Sequence, residues 1–279
     1  MIFAIVALIL LALGICYLLA IRGRVGHPGL RELRRWSYAH RGLHSEGVPE
    51  NSMAAFEAAR NAGYGVELDV HLLADGNLAV IHDSDLERVT GLPGKIEDLT
   101  TRQLRDCLLC GTQEIIPEFA HVLELFNGEA PLIVELKPAK GNHARLAEAV
   151  CEMMKDYPGP YCLESFDPRC ILWLKKHRPE LIRGQLSEDY FAKGRPKIPL
   201  ILKWIMTENL GNFITKPDFV AYRYADRFCT LSNFFCLKRM TCVSWTVTSQ
   251  EEYDTAVREG WIPIFECFLP DPEGLKERS

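Results

Sequence analysis

A basic stripe is absent from most of this 279-residue chain, and the net charge is −5. That absence argues against nucleic acid as a partner. There is no internal repeat of the ~20–50 residues that mark solenoids and propellers. The ten cysteines lack framework spacing. A disulfide scaffold is thereby excluded, and a reducing compartment suits them. Cys107 and Cys110 form a lone C-x-x-C pair. Without a second pair for zinc or a thioredoxin-like context, they read as ordinary buried thiols.

Charge is missing altogether from Ile2 to Ile21, a run of 20 residues. At about 1.5 Å rise per residue, such a helix spans a hydrocarbon core of roughly 30 Å. A secretory signal would need a basic residue before the run, and none is there. Ile15 before Cys16 also spoils a lipoprotein-type reading. Residues 1–21 are therefore expected to be a retained, single-pass anchor in the cell membrane. Arg22, Arg24, Arg31, Arg34 and Arg35 follow it. The positive-inside rule then puts the basic juxtamembrane linker, 22–36, and the soluble domain, 37–279, on the cytoplasmic side.

Apolar residues make up 48% of the chain, enough for a sizeable core. Beyond the linker, β-like runs alternate with amphipathic segments. The runs are SYAHR, YGVELDVHL, LAVIHD, PLIVELK, PYCLESF, IRGQL, DFVAYRY, CVSWTV and IPIFEC. Alternation of this kind predicts parallel strands joined by crossover helices. Nine runs are one too many for an eightfold barrel. Asp75-Gly76 between the second and third is a hairpin turn signal. LAVIHD is thus the return arm of a hairpin, and the fold class is α/β, a TIM-type (β/α)8 barrel after one transmembrane helix. Such barrels carry their chemistry at the C-terminal ends of the strands.

Polar residues fall at those ends. The first strand closes with His40-Arg41, and the hairpin arm with His82-Asp83. Glu67 and Asp69 are two apart, so they share one face of the second strand, as Glu135 and Lys137 do on the fourth. Unpaired buried carboxylates cost several kcal/mol, roughly. Something cationic must lie among them. Three oxygen donors, Glu67, Asp69 and Glu135, suit one hard divalent cation, Ca²⁺ or Mg²⁺. The alternative is a structural ion-pair network with Arg41 and Lys137. Two imidazoles near neutral pKa can serve as an acid and a base. Arg41 and Lys137 can contact an anion. Together these groups fit phosphodiester cleavage.

The stretch AHRGLHSEGVPENSMAAFEAARNAGYGVELDVHLLADGNLAVIHD resembles the amino-terminal signature of the glycerophosphodiester phosphodiesterase family. IVELK, ESFDP and WTV resemble its later landmarks, in family order over residues 37 to 271. The resemblance implies a TIM-type barrel with a small insertion. It implies His40 and His82 as the acid–base pair, and Glu67, Asp69 and Glu135 as metal ligands. Arg41 and Lys137 would hold the phosphate. Glu50 and Asn51 match the family's Pro-Glu-Asn element; Asn51 or Ser52 can also simply cap a helix. The implied reaction splits a small or lipid-derived glycerophosphodiester into glycerol phosphate and an alcohol.

Where the family often has Thr-Asp in its last strand, this chain has Glu266-Cys267. Glu266 is expected at the barrel mouth, as a contact of glycerol or of another site residue, or as a structural acid. Trp245 is expected as a pocket wall or as barrel core. His44 and His71 match no required position and are expected to face solvent or pack. The segment Tyr190 to Ile214 mixes lysines with large apolar residues, and suits either a membrane surface or an ordinary barrel helix and loop. Two other readings remain: a membrane-bound glycerophosphodiester or metal sensor without turnover, and an amidohydrolase-type metalloenzyme. The latter lacks the His-x-His a two-metal site needs on the first strand.

Overall fold

A computed structural model of the chain describes residues 2–195 and 197–271. The expected anchor and soluble domain thus reach past the described residues at Met1 and at 272–279, and Pro196 falls outside them too. Nine strands form, β1 (Tyr38–His40), β2 (Gly65–Leu72), β3 (Leu78–Val80), β4 (Leu132–Leu136), β5 (Tyr161–Ser165), β6 (Arg183–Ser187), β7 (Phe219–Arg223), β8 (Thr241–Val247) and β9 (Trp261–Phe265). β1 pairs in parallel with both β2 and β9, which closes the sheet. β3 runs antiparallel to β2, as its Asp-Gly turn predicts. The remaining eight strands are parallel, so the expected TIM barrel is the fold.

Period-two alternation sets the layers. Along β2, Val66, Leu68, Val70 and Leu72 join the outer core with Phe56, Phe126 and Leu146 of the surrounding helices. Glu67, Asp69 and His71 therefore face the barrel axis. The lower interior is closed by Tyr38, Ile133, Phe219, Val243 and Ile264. Residues between β2 and β4 pack around β3 as a separate small cluster that includes Leu73, Ile81, Val89 and Leu104.

The apolar run forms one helix, Ile2–Ala20, long and apolar enough to cross a membrane, with none of its side chains buried in the fold. Residues 22–36, expected as a linker, pack across the base of the barrel. Leu30 and Leu33 join the lower interior. Arg24 grips both carboxylate oxygens of Asp218 at 2.5 and 2.6 Å. All ten cysteines are free; Cys107 is buried as expected, but Cys110 is exposed, because its loop turns it outward.

Candidate active site

Strand register builds the site. His40 lies opposite Glu67, Asp69 opposite Glu135, and Glu135 opposite Glu164. Side chains at one level of neighbouring strands converge on the axis. One ligand atom from each of Glu67, Asp69 and Glu135 lies within 4.8 Å of the others, and all three residues are buried. Lys137, one residue past β4, lies 2.9 Å from Glu135 and 3.1 Å from Asp69. Arg41 Nε is 3.5 Å from Asp69.

After His40 the chain must leave the barrel sharply. Gly42 has φ +81°, and a Cβ there would meet the Ala55 backbone at 2.9 Å. Glycine alone fits both demands. Ser52 Oγ then accepts the Ala55 N–H at 3.1 Å and caps the helix Met53–Asn61. Asn51 is released from capping: its Nδ2 donates to Asp69 Oδ2 at 2.8 Å. Glu50 accepts from Arg41 at 2.8 Å and from both terminal nitrogens of Arg88. The Pro-Glu-Asn element thus braces the site.

Each histidine is backed by a carboxylate. His40 Nδ1 donates to Glu266 Oε2 at 3.0 Å, leaving Nε2 3.8 Å from Glu67. His82 Nδ1 donates to Asp83 at 2.6 Å, leaving its Nε2 without a partner among the described residues. Burial lowers His40 below the usual range and brings His82 down to about 4, so both rings are neutral near pH 7. Each then carries its proton on Nδ1 and offers a lone pair on Nε2.

The carboxylates are unequal. Burial first, then the Asp69 and Glu135 charges, push Glu67 well above the usual range. Burial also pushes Glu135 up to about 7. Asp69 goes the other way: burial opposes ionisation, but Lys137, His82, Arg41 and the Asn51 amide hold it far below its ordinary value. These donor atoms fit a hard divalent cation. They are all oxygens, they crowd within one coordination sphere, and Asp69 Oδ1 has no hydrogen bond, since Lys137 approaches it without donor alignment.

Hollows flank the cluster. One of about 360 Å³ is lined by His82, Lys137 and Phe166, and one of about 670 Å³ by His44, Glu266 and Phe268. Trp245 meets Phe166 edge to face at 5.5 Å, is partly exposed, and packs against the lower-interior cluster.

Of the two alternatives expected for His44 and His71, facing solvent or packing, both residues take packing. His44 does not face solvent: its Nε2 lies 3.2 Å from Glu266 Oε1, drawn in by the carboxylate that also holds His40. His71 is buried, with Nδ1 2.7 Å from Glu97 and Nε2 3.3 Å from the His82 carbonyl. It steadies the backbone of a site histidine. Glu164 was missed. It is buried beside Glu135, one carboxyl oxygen lacks a partner, and burial pushes its pKa well above the usual range. Its period-two place on β5 was the available signal.

Comparisons with known proteins agree with this fold. The glycerophosphodiester phosphodiesterase of Caldanaerobacter subterraneus subsp. tengcongensis is 34% identical over 85% of this chain and 94% of its own length. Human glycerophosphodiester phosphodiesterase 1 is 25% identical over 77% of this chain and 72% of its own. Among solved structures, a glycerophosphodiester phosphodiesterase of Thermotoga maritima superposes with a TM-score of 0.62 at 27% identity, covering 82% of this chain and 93% of that one. An Oleispira antarctica phosphodiesterase in complex with the product sn-glycerol-3-phosphate shares the fold, with a TM-score of 0.69 at 22% identity over 87% of this chain and 96% of that one. The profile of the glycerophosphoryl diester phosphodiesterase family matches residues 40–265, from the first site histidine to the end of the last strand, and the chain is a phosphodiesterase belonging to that family.

Proposed function

We propose that His40 and His82 hydrolyse a glycerophosphodiester by acid–base catalysis, beside one divalent cation, Ca²⁺ or Mg²⁺. The observation that carries this is the pair of neutral, carboxylate-backed imidazoles at strand ends next to three buried carboxylates. One Nε2 takes the proton of the neighbouring glycerol hydroxyl, whose oxygen then attacks phosphorus. The other imidazole, which must first take a proton from water on its Nε2, gives that proton to the leaving alkoxide. Water opens the resulting cyclic phosphate, with the two proton transfers reversed. Arg41 and Lys137 supply positive charge to the phosphoryl oxygens, where it strengthens as charge builds up. Held by Glu67, Asp69 and Glu135, the cation would offset the phosphate charge as a Lewis acid. The helix Ile2–Ala20 anchors the enzyme in the cell membrane as a single pass, with the barrel on the cytoplasmic side.

The test is glycerol phosphate release from glycerophosphocholine by the full chain, with Ca²⁺, Mg²⁺ or a chelator. Release that needs a divalent ion, and is lost in both His40→Ala and His82→Ala, is the expected result. Binding without release, under every ion, would instead make the chain a sensor. Sidedness is read by protease protection: digestion of the barrel in intact cells would overturn the cytoplasmic placement.

A further inference from the structure

The barrel surface is not uniform. Beyond residue 25 there are fourteen exposed large apolar side chains among the described residues, and ten of them lie between Phe191 and Phe234. That interval holds the β6–β7 and β7–β8 crossovers. Leu200, Ile201 and Trp204 stand out from the first crossover, and Phe228, Leu231 and Phe234 from the second, exposed by 46 to 74%. A soluble barrel would cover such a patch or avoid it.

The patch is continuous with the membrane span. Glu208, on the first crossover, accepts from Tyr17 Oη at 2.5 Å and from Thr230 Oγ1 and the Ser232 N–H of the second. One carboxylate therefore ties both crossovers to the end of the helix Ile2–Ala20. Asn212 Nδ2 donates to the Ile21 carbonyl at 3.3 Å, and the Tyr17 ring meets Phe235 edge-on at 6.4 Å. The flank that carries the apolar side chains is thus held at the point where the span leaves the bilayer.

Its chemistry is interfacial. Lys203 lies over the Phe191 ring at 5.9 Å and Lys238 over Phe234 at 4.1 Å, while Arg227 stacks on Phe228 at 4.3 Å. Cations set over aromatic rings, with a tryptophan among them, match the headgroup layer. Between the last turns of the span and the second crossover is a cavity of about 500 Å³, walled by Leu18, Leu19, Val25 and Phe235, with Arg22 and Arg239 at its edge. Apolar walls and two guanidiniums suit an acyl chain and its phosphate.

We infer that the β6–β7 and β7–β8 crossovers form a lipid-binding face that lays the barrel flank-down on an anionic bilayer surface. This rests on reading Ile2–Ala20 as a membrane span. Phe191 and Phe228 follow the C-terminal ends of β6 and β7 closely, so the apolar face reaches the rim of the barrel mouth. The mouth then opens along the bilayer surface, level with lipid headgroups.

The experiment uses the full chain in vesicles of phosphatidylcholine and phosphatidylglycerol, with and without bromine on the upper acyl carbons. Subtracting the emission of Trp204→Phe isolates the Trp204 signal. Loss of that signal in brominated vesicles is the expected result. The double variant Leu200→Gln, Ile201→Gln should restore much of it while hydrolysis of soluble glycerophosphocholine continues at the parent rate. Alkaline extraction of the same vesicles reports the span separately. A chain that resists extraction but shows no Trp204 quenching overturns the inference and leaves the anchor standing. An extracted chain without quenching overturns both. Quenching in a chain that extracts supports the face without the anchor. Trp204 shielding that ignores bromine and grows with protein density identifies a second copy as the occupant, and overturns the inference.

Discussion

Glu266 bridges two histidines: its Oε2 accepts from His40 Nδ1 at 3.0 Å while its Oε1 lies 3.2 Å from His44 Nε2. The hydrogen bond from His40, and then the His44 imidazole beside it, hold its carboxyl well below the usual range, so it is ionised at any working pH. An ionised partner on Nδ1 fixes the tautomer and favours the imidazolium that forms when Nε2 takes a proton. Glu266→Gln keeps the shape and removes the charge. A fall of about 10- to 100-fold in kcat, the scale for residues that orient a functional imidazole, is expected with KM nearly unchanged. A rise in KM alone would mean that Glu266 serves the glycerol instead. An unchanged kcat/KM would remove it from the site.

Cation binding should release protons. Burial raises Glu135 from 4.5 to about 7, so at pH 6 it is mostly protonated. A cation needs the carboxylate and must expel that proton. Affinity should therefore climb as pH rises toward about 7 and then flatten. Calorimetric titration of Ca²⁺ or Mg²⁺ at pH 6, in two buffers of different ionisation enthalpy, measures the release directly. Equal heats in both buffers would exclude this carboxylate as a ligand. Stability carries the same sign. A raised folded-state pKa favours the folded chain below about pH 4.5, and that advantage is lost as pH climbs through 7. The cation should thus raise Tm more at pH 8 than at pH 6.

Much of this was legible because two periods do the work. Alternation along GVELDVHL separates Val66, Leu68 and Val70 from Glu67 and Asp69, and the same rule placed Glu135 with Lys137. Parallel strands in register then bring those carboxylates to one level with no further information. His44 was illegible for the opposite reason. It sits in a loop without periodicity, and its partner Glu266 is at the far end of the chain. The leucines at 30 and 33 have helical spacing, yet five neighbouring arginines made the segment look merely basic. Only the closed base of the barrel shows what they cover. His71 lies on the polar face of β2 and could have been read from period two; its partner Glu97, in the insertion, could not.

His71 tests whether the site depends on a buried brace. Nδ1 meets Glu97 at 2.7 Å, and Glu97 also accepts from Ser84 Oγ at 2.7 Å, so the brace pins both sides of Asp83. His71→Leu leaves Glu97 buried with only the serine. The loss expected from breaking a buried pair is about 3 kcal/mol. Because His71 touches the backbone of His82 and not the substrate, kcat should fall while KM holds. Restoring a donor with His71→Asn should recover part of kcat. Equal kcat in His71→Leu, with only Tm reduced, would make the brace purely structural.

Truncation separates the span from the base. Removing residues 1–20 takes away a helix with no buried side chain together with the Tyr17–Glu208 hydrogen bond, worth about 1 kcal/mol, so the barrel's Tm should fall by only about 2–4 °C. Removing residues 1–36 also strips Leu30 and Leu33 from the lower interior and Arg24 from Asp218. Two buried leucines are worth roughly 3–6 kcal/mol, and Asp218 would remain buried without its guanidinium partner. At about 2–4 °C per kcal/mol for a domain of this size, the longer truncation should melt at least 6 °C, roughly, below the shorter one. Both should be assayed on soluble glycerophosphocholine below their melting points. Equal Tm values would return residues 22–36 to the status of a free linker. A drop confined to the longer truncation makes them the floor of the barrel.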